Sequence, residues 1–260
     1  MKRPMSPCAL CLQAKSLVQS HIIPSFLLKE SEDWIEKGES RQKHPHLTLV
    51  DFKTATEVYS HQRGKVLKKE GLIEYLLCEE CEKRLKVGED YARFCLFGRE
   101  HVKKHPAAAK TLLRYRARRG KVVREGFEVR WVDYEQLKQF QIGIIWRACV
   151  ANGPAFRCVE AADATRERMR LALLGGALDE DLVPCAMERL YNSTDASLGI
   201  ISLPVAGDKR VNLVMGGYRW HFYMDGNAPH EVVLRKSGRL LVRISDIDCF
   251  YTPDDMFREF

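Results

Sequence analysis

Four cysteines carry the clearest chemistry in this chain. Cys8 and Cys11 form one Cys-x-x-Cys pair, and Cys78 and Cys81 form another. Two tight turns that each present two thiolates make a tetrahedral site, with every sulfur about 2.3 Å from one zinc ion. The pairs are separated by 66 residues, so the chain must leave the site and return. The alternative is two unrelated pairs of buried or redox cysteines. Thioredoxin-type chemistry, however, sets one Cys-x-x-Cys beside a βαβ pattern, and no such pattern is present. Ten residues after Cys11 comes His21, within Ser20-His21-Ile22-Ile23-Pro24. An imidazole titrates close to neutral pH and can take a proton from a nucleophile, but it serves equally as a hydrogen-bonded structural group or a zinc ligand.

The second pair, Cys78-Glu-Glu-Cys81, leads into a stretch in which Leu85, Tyr91, Ala92 and Cys95 suit one helix face, with Gly88 weakening it. Zinc therefore clamps a helix N-terminus, where Glu79, Glu80 and Glu82 also complement the helix dipole. The order Cys8, Cys11, His21, Ile22, Pro24, Leu77, Cys78, Cys81 resembles the layout of zinc-stabilised HNH endonucleases of the treble-clef, ββα-metal type. It is also similar to a group of bacterial proteins with a Ser-His-Ile-Ile-Pro segment, a Leu-Cys-x-x-Cys-Glu segment and a later Trp-Arg helix, here Trp146-Arg147.

The resemblance covers roughly residues 6 to 95. It implies a metal-dependent endonuclease of a bacterial defence or mobile-element system, with His21 as general base and a divalent ion, Mg or Mn, polarising the phosphate. Within that layout Ser20 stands where an acidic metal ligand is usual, Glu82 where asparagine is usual, and Leu85 where a helical histidine is usual. Glu82 becomes the candidate ligand of the catalytic ion. Glu89 lies on the same helix face, but seven residues of helix put it about 10 Å away, too far to share one ion directly.

Charge is distributed unevenly. The net charge is +7, yet between Lys103 and Arg124 there are nine Lys or Arg and no acidic residue. Such a run is either a solvated helix face and linker or a phosphate-binding stripe. In the second reading Lys110, Arg114, Arg116, Arg118, Arg119 and Lys121 bind nucleic acid, DNA in preference to RNA, and Tyr115 stacks on a base. His44, His46 and His61 fall in a polar segment and read as solvated loop histidines that could supply a missing ligand. His101 and His105 add to the basic run, and His221 reads as a surface histidine on a strand.

These residues need elements to position them. With 45% hydrophobic and 30% charged residues over 260 positions, the chain builds an ordinary globular core, sufficient for two domains. No apolar stretch spans a bilayer, and the N-terminus lacks the apolar region of a signal peptide. Nine cysteines, an odd number with four in close pairs, argue against a disulfide framework and for a reducing cytoplasm. Gly-rich phosphate loops, Gly-x-Ser-x-Gly elbows and His-Glu-x-x-His helices are lacking, which disfavours nucleotide hydrolysis and zincin proteolysis.

The expected architecture is α+β. A zinc treble-clef domain fills 1–98, with a polar insertion at about 31–69. A basic connector covers 99–131, and an α+β domain covers 132–260. Asp133 and Gln136 have capping-box spacing before a helix with Leu137, Phe140, Ile144, Ile145 and Ala148 as its apolar stripe. A second helix runs from Asp163 to Leu174 and stops at Gly175-Gly176, with Arg166, Arg168 and Arg170 on its polar side. Short runs at 198–203, 211–215, 218–224, 231–234 and 239–244 predict an antiparallel meander with a hairpin turn at Gly216-Gly217. Three functions fit this chain: an HNH-like nuclease, a non-catalytic zinc module that binds nucleic acid, or a zinc-stapled protein-interaction subunit.

Overall fold

A computed structural model describes residues 3–29, 49–51, 56–59, 73–97, 112–119, 122–129, 132–153, 156, 159–191, 202–204, 210–229 and 233–246. Within them the protein is a mixed α+β fold with four helices. The N-terminal sheet has the order β1 (Met5–Pro7), β2 (Ala14–His21), β5 (Ile73–Cys78), all antiparallel. Cys78 is the last residue of β5, and α2 (Glu79–Phe97) starts directly after it, as the Cys78–Cys81 spacing predicts. The short helix α1 (Ser25–Lys29) follows β2, and β3 (Leu49–Asp51) pairs with β4 (Thr56–Tyr59). Most of the polar segment 31–69, with His44, His46 and His61, lies outside the described residues, as do His101 and His105.

Helix α3 (Tyr134–Val150) is the centre of the molecule. Its predicted start is observed: Asp133 is the N-cap, and its carboxylate accepts from the Gln136 backbone N–H at 3.1 Å. The capping box is not reciprocal in the usual way. Gln136 donates its side-chain amide to Asp133 Oδ2, and the Asp133 N–H goes instead to Tyr91 Oη on α2 at 2.6 Å. The five predicted stripe residues are buried, but so are Lys138, Gln141, Trp146 and Arg147. A helix buried all round needs partners on several sides. Here α2 and α4 (Asp163–Leu173) pack against it, and the aromatic face of the large sheet covers another side. Phe140 joins the two halves, 5.8 Å from Phe26 after β2 and 5.8 Å edge-on to Trp220 in the sheet.

Gly88, expected to weaken α2, is required by this packing. A Cβ there would lie 2.9 Å from the Gln136 carbonyl oxygen. Helix α4 ends as the two glycines predict. Gly176 N–H bonds the Leu171 carbonyl and Gly175 N–H the Ala172 carbonyl, a Schellman pattern with Gly175 at φ 110°.

The large sheet corrects the meander expectation. Its order is β6 (Leu112–Arg119), β7 (Val122–Val129), β12 (Leu240–Asp246), β8 (Cys185–Tyr191), β11 (Tyr218–Tyr223), β10 (Arg210–Met215), β9 (Ser202–Pro204). Strand β12 does not follow β11 in space; it crosses to the far side of β8 and runs parallel to it. Strand β8 was not expected, because Cys-Ala-Met-Glu-Arg-Leu-Tyr contains no β-branched residue. The Gly216-Gly217 hairpin is present, with both glycines at positive φ. The segment read as a basic connector supplies β6 and β7, and β6 is an edge strand of this sheet.

Candidate metal centre and the adjoining ion cluster

Cys8 and Cys11 sit on a turn between β1 and β2. Leu12 N–H bonds the Cys8 carbonyl at 2.8 Å, and Cys8 N–H bonds the Gln13 carbonyl at 2.9 Å. To close this turn Leu12 adopts φ 62°, a left-handed conformation. Ala9 N–H bonds the Leu76 carbonyl at 3.0 Å and so ties the turn to β5. Cys78 arrives from β5 and Cys81 from the first turn of α2. The four sulfurs converge within 4.8 Å of one another, Cys11 and Cys78 at 4.0 Å.

A tetrahedral ion at about 2.3 Å from each thiolate separates its ligands by about 3.8 Å, so this donor set fits a metal such as zinc. Three of the sulfurs are buried. Cys8 Sγ accepts the Cys78 backbone N–H at 3.3 Å, a bond that offsets thiolate charge. Burial and contact with the other three sulfurs push the Cys81 thiol well above its ordinary range. A divalent cation among the sulfurs reverses that trend, because it stabilises thiolates directly. Arg170 of α4 donates to the Leu10 carbonyl at 2.7 Å and braces the turn from outside.

Of the residues singled out for catalysis, Glu82 directly follows Cys81 in α2 and His21 ends β2. Ser20, fully buried near the end of β2, donates to Glu82 Oε2 at 2.9 Å. His21, the last residue of β2, is half-buried, and its backbone carbonyl accepts from Arg147 Nη1 at 3.2 Å. Arg147 is 1% exposed; Nη1 also pairs with Glu89 at 2.5 Å, and Nη2 stands 3.9 Å from Glu82 Oε1. Burial pushes the Glu89 carboxyl up, and Arg147 opposes that shift. Glu82 and Glu89, too far apart on their helix for a common ion, are thus bridged by one guanidinium. Leu85 lies in the core between them.

Arg147 is the participant that residue spacing alone did not assign. Its signals in the sequence are the Trp146-Arg147 pair of the resemblance and a charge inside an otherwise apolar helical run, Ile142 to Ala151.

A second buried polar cluster lies in the large sheet. Glu188 on β8 is held by Arg219 at 3.2 Å and faces His221 Nε2 at 3.3 Å, while His221 Nδ1 lies 2.8 Å from Asn212 Oδ1. His221, expected at the surface, is buried. Every residue of β11 is covered, so strand alternation leaves it no solvent face.

Of the basic residues, Arg114, Arg116, Arg118 and Arg119 are on β6, three of them at alternate positions, and Arg116 is in register with Glu125 of β7. Lys110 and Lys121 lie outside the described residues. No helix among the described residues is long and apolar enough to cross a membrane. No protein-family model, curated protein or solved structure matches the chain.

Proposed function

We propose that this chain is a zinc-bound protein on an HNH-like, treble-clef frame that binds nucleic acid, DNA before RNA, without metal-dependent cleavage. The observation that carries the reading is the closed cluster of Ser20, Glu82, Arg147 and Glu89. A hydrolytic divalent ion needs carboxylate oxygens that reach it and open positions for water and phosphate. Here Glu82 is engaged by Ser20 and faces a buried arginine. The frame is supported by the order of the zinc-binding parts: a Cys-x-x-Cys turn, an antiparallel strand pair, then a helix whose first turn carries the last cysteine. Binding is supported by the basic run on edge strand β6, although charge on an edge strand also discourages edge-to-edge pairing.

The test is the salt dependence of binding to short duplex DNA, single-stranded DNA and RNA. Several phosphate contacts make log K fall steeply with log salt, and replacing Arg114, Arg116, Arg118 and Arg119 by Glu is expected to abolish binding. Equal binding by that variant, or no binding by the parent, overturns the reading in favour of a protein-interaction subunit.

The second reading is the nuclease itself, with His21 as base and Mg or Mn as cofactor. One observation favours it: His21 ends β2 beside Ser20, and Ser20 touches Glu82. Cleavage by the parent with Mg or Mn, lost in His21→Ala while zinc content and folding are kept, establishes this reading instead.

A further inference from the structure

Four oxygen-bearing groups lie where β2, α2 and α3 meet. They are the Ser20 hydroxyl, the Glu82 carboxylate, the Glu89 carboxylate and the His21 backbone carbonyl. That is the donor set of a hard divalent cation such as Ca or Mn. The group at its centre is the Arg147 guanidinium. An arginine placed for pairing uses its fork of N–H donors two at a time. Among the described residues only Nη1 finds hydrogen-bond partners; Nε and Nη2 are buried without one, and Glu82 Oε1 at 3.9 Å is too far for Nη2 to reach. The oxygens therefore complement the guanidinium in sign of charge and not in shape.

We infer that Arg147 is the resident cation of an oxygen-lined site at the β2–α2–α3 junction, and that its charge shuts out a divalent ion there. The inference rests on the non-catalytic reading above. The guanidinium already occupies the space among the oxygens, so a divalent ion entering there would stand beside a fixed, buried positive charge that the two carboxylates already face. Loss of the guanidinium leaves two partly buried carboxylates uncompensated, a condition that a divalent ion relieves and a monovalent ion at the same concentration does not. The guanidinium also holds the His21 carbonyl at the end of β2 and the first and third turns of α2 against α3, so the junction loses its brace when the cation goes.

The experiment titrates Mn and Ca into zinc-loaded parent, Arg147→Met, Arg147→Lys and the double variant Arg147→Met/Glu82→Gln. Uptake is followed by Mn paramagnetic resonance and stability by thermal melting. The parent and Arg147→Lys are expected to take up no Mn and to melt at the same temperature with and without it. Arg147→Met is expected to melt several degrees lower, to recover several degrees with millimolar Mn or Ca, and to bind one ion. The double variant is expected to lose both the recovery and the ion.

Uptake of Mn by the parent that Glu82→Gln removes overturns the inference, and so does a folded Arg147→Met that ignores both metals. If Arg147→Met does not fold, the parent and Arg147→Lys still decide: an ion taken up by either at a Glu82-dependent site overturns it, and none supports it. Binding of DNA by the same parent preparation is read separately, so failure of the nucleic-acid reading is not mistaken for failure of this one.

Discussion

Ser20 Oγ donates a hydrogen bond to Glu82 Oε2 across 2.9 Å, joining the end of β2 to α2 one residue past Cys81, the last cysteine of the cluster. Both groups are largely removed from water, so Ser20→Ala leaves a carboxylate short of a donor. The expected cost is about 1 to 2 kcal/mol. Urea unfolding at constant zinc is expected to show a lower midpoint and an unchanged slope, with zinc content unaffected.

One zinc per chain is expected by elemental analysis, because the four sulfurs leave no ligand position open. Cys78→Ser is expected to lose the metal and to unfold the N-terminal sheet and α2, since metal binding there is folding energy. The pH dependence follows from the ligands. Thiolates bind zinc and thiols do not, so protons compete, and the stability conferred by the metal is retained at about pH 7 and lost as pH falls towards about 5. A preparation that unfolds no earlier in the presence of a strong chelator contradicts this.

Gly88→Ala sets helix propensity against packing. Alanine is the better helix former by about 1 kcal/mol. The added methyl would meet the Gln136 carbonyl oxygen at 2.9 Å and the Phe140 nitrogen at 3.1 Å, both backbone atoms that cannot rotate away. Overpacking of this kind costs about 1 to 3 kcal/mol, so net destabilisation is expected, visible as a lower melting temperature.

Leu12 is 60% exposed and held at φ 62° by the cysteine turn, so its side chain contributes little and its backbone is strained. Leu12→Gly is expected to keep zinc content and to change stability by less than about 0.5 kcal/mol. Leu12→Val, β-branched in the same conformation, is expected to cost more than about 1 kcal/mol. Chemical denaturation of the two variants side by side checks the contrast.

Glu188 supplies a second pH signature. Burial alone would raise its carboxyl, but His221, Arg219 and Arg243 together outweigh that and hold it at about 2. A carboxyl lowered in the folded state contributes stability that is complete above the ordinary carboxylate range and is lost as pH falls through about 2. Glu188→Gln is expected to lower stability at pH 7 and to flatten the acid limb of the stability curve below about pH 4, by equilibrium unfolding across pH.

The amino-acid sequence by itself determined the local features. Cysteine spacing set two turns that bring four thiols together, because two residues between thiols suffice to aim both at one point. Asp133 and the Gly175-Gly176 pair set helix ends, because capping is settled within a few residues. The tertiary structure decided whatever depends on distant neighbours. The crossing of β12 to β8 and the strand character of the basic run arise from pairings between segments far apart in the chain. His221 is buried because both faces of β11 are covered, and alternation along a strand cannot reveal what lies over it. Gly88 reads as a helix weakness until α3 is laid against it. Glu82 reads in the sequence as a carboxylate on a helix face, and the fold brings Arg147, 65 residues further along, beside it. Spacing places a carboxylate on a helix face, whereas its partner is chosen by the packing of α2 on α3 and by the cost of leaving a buried charge unpaired.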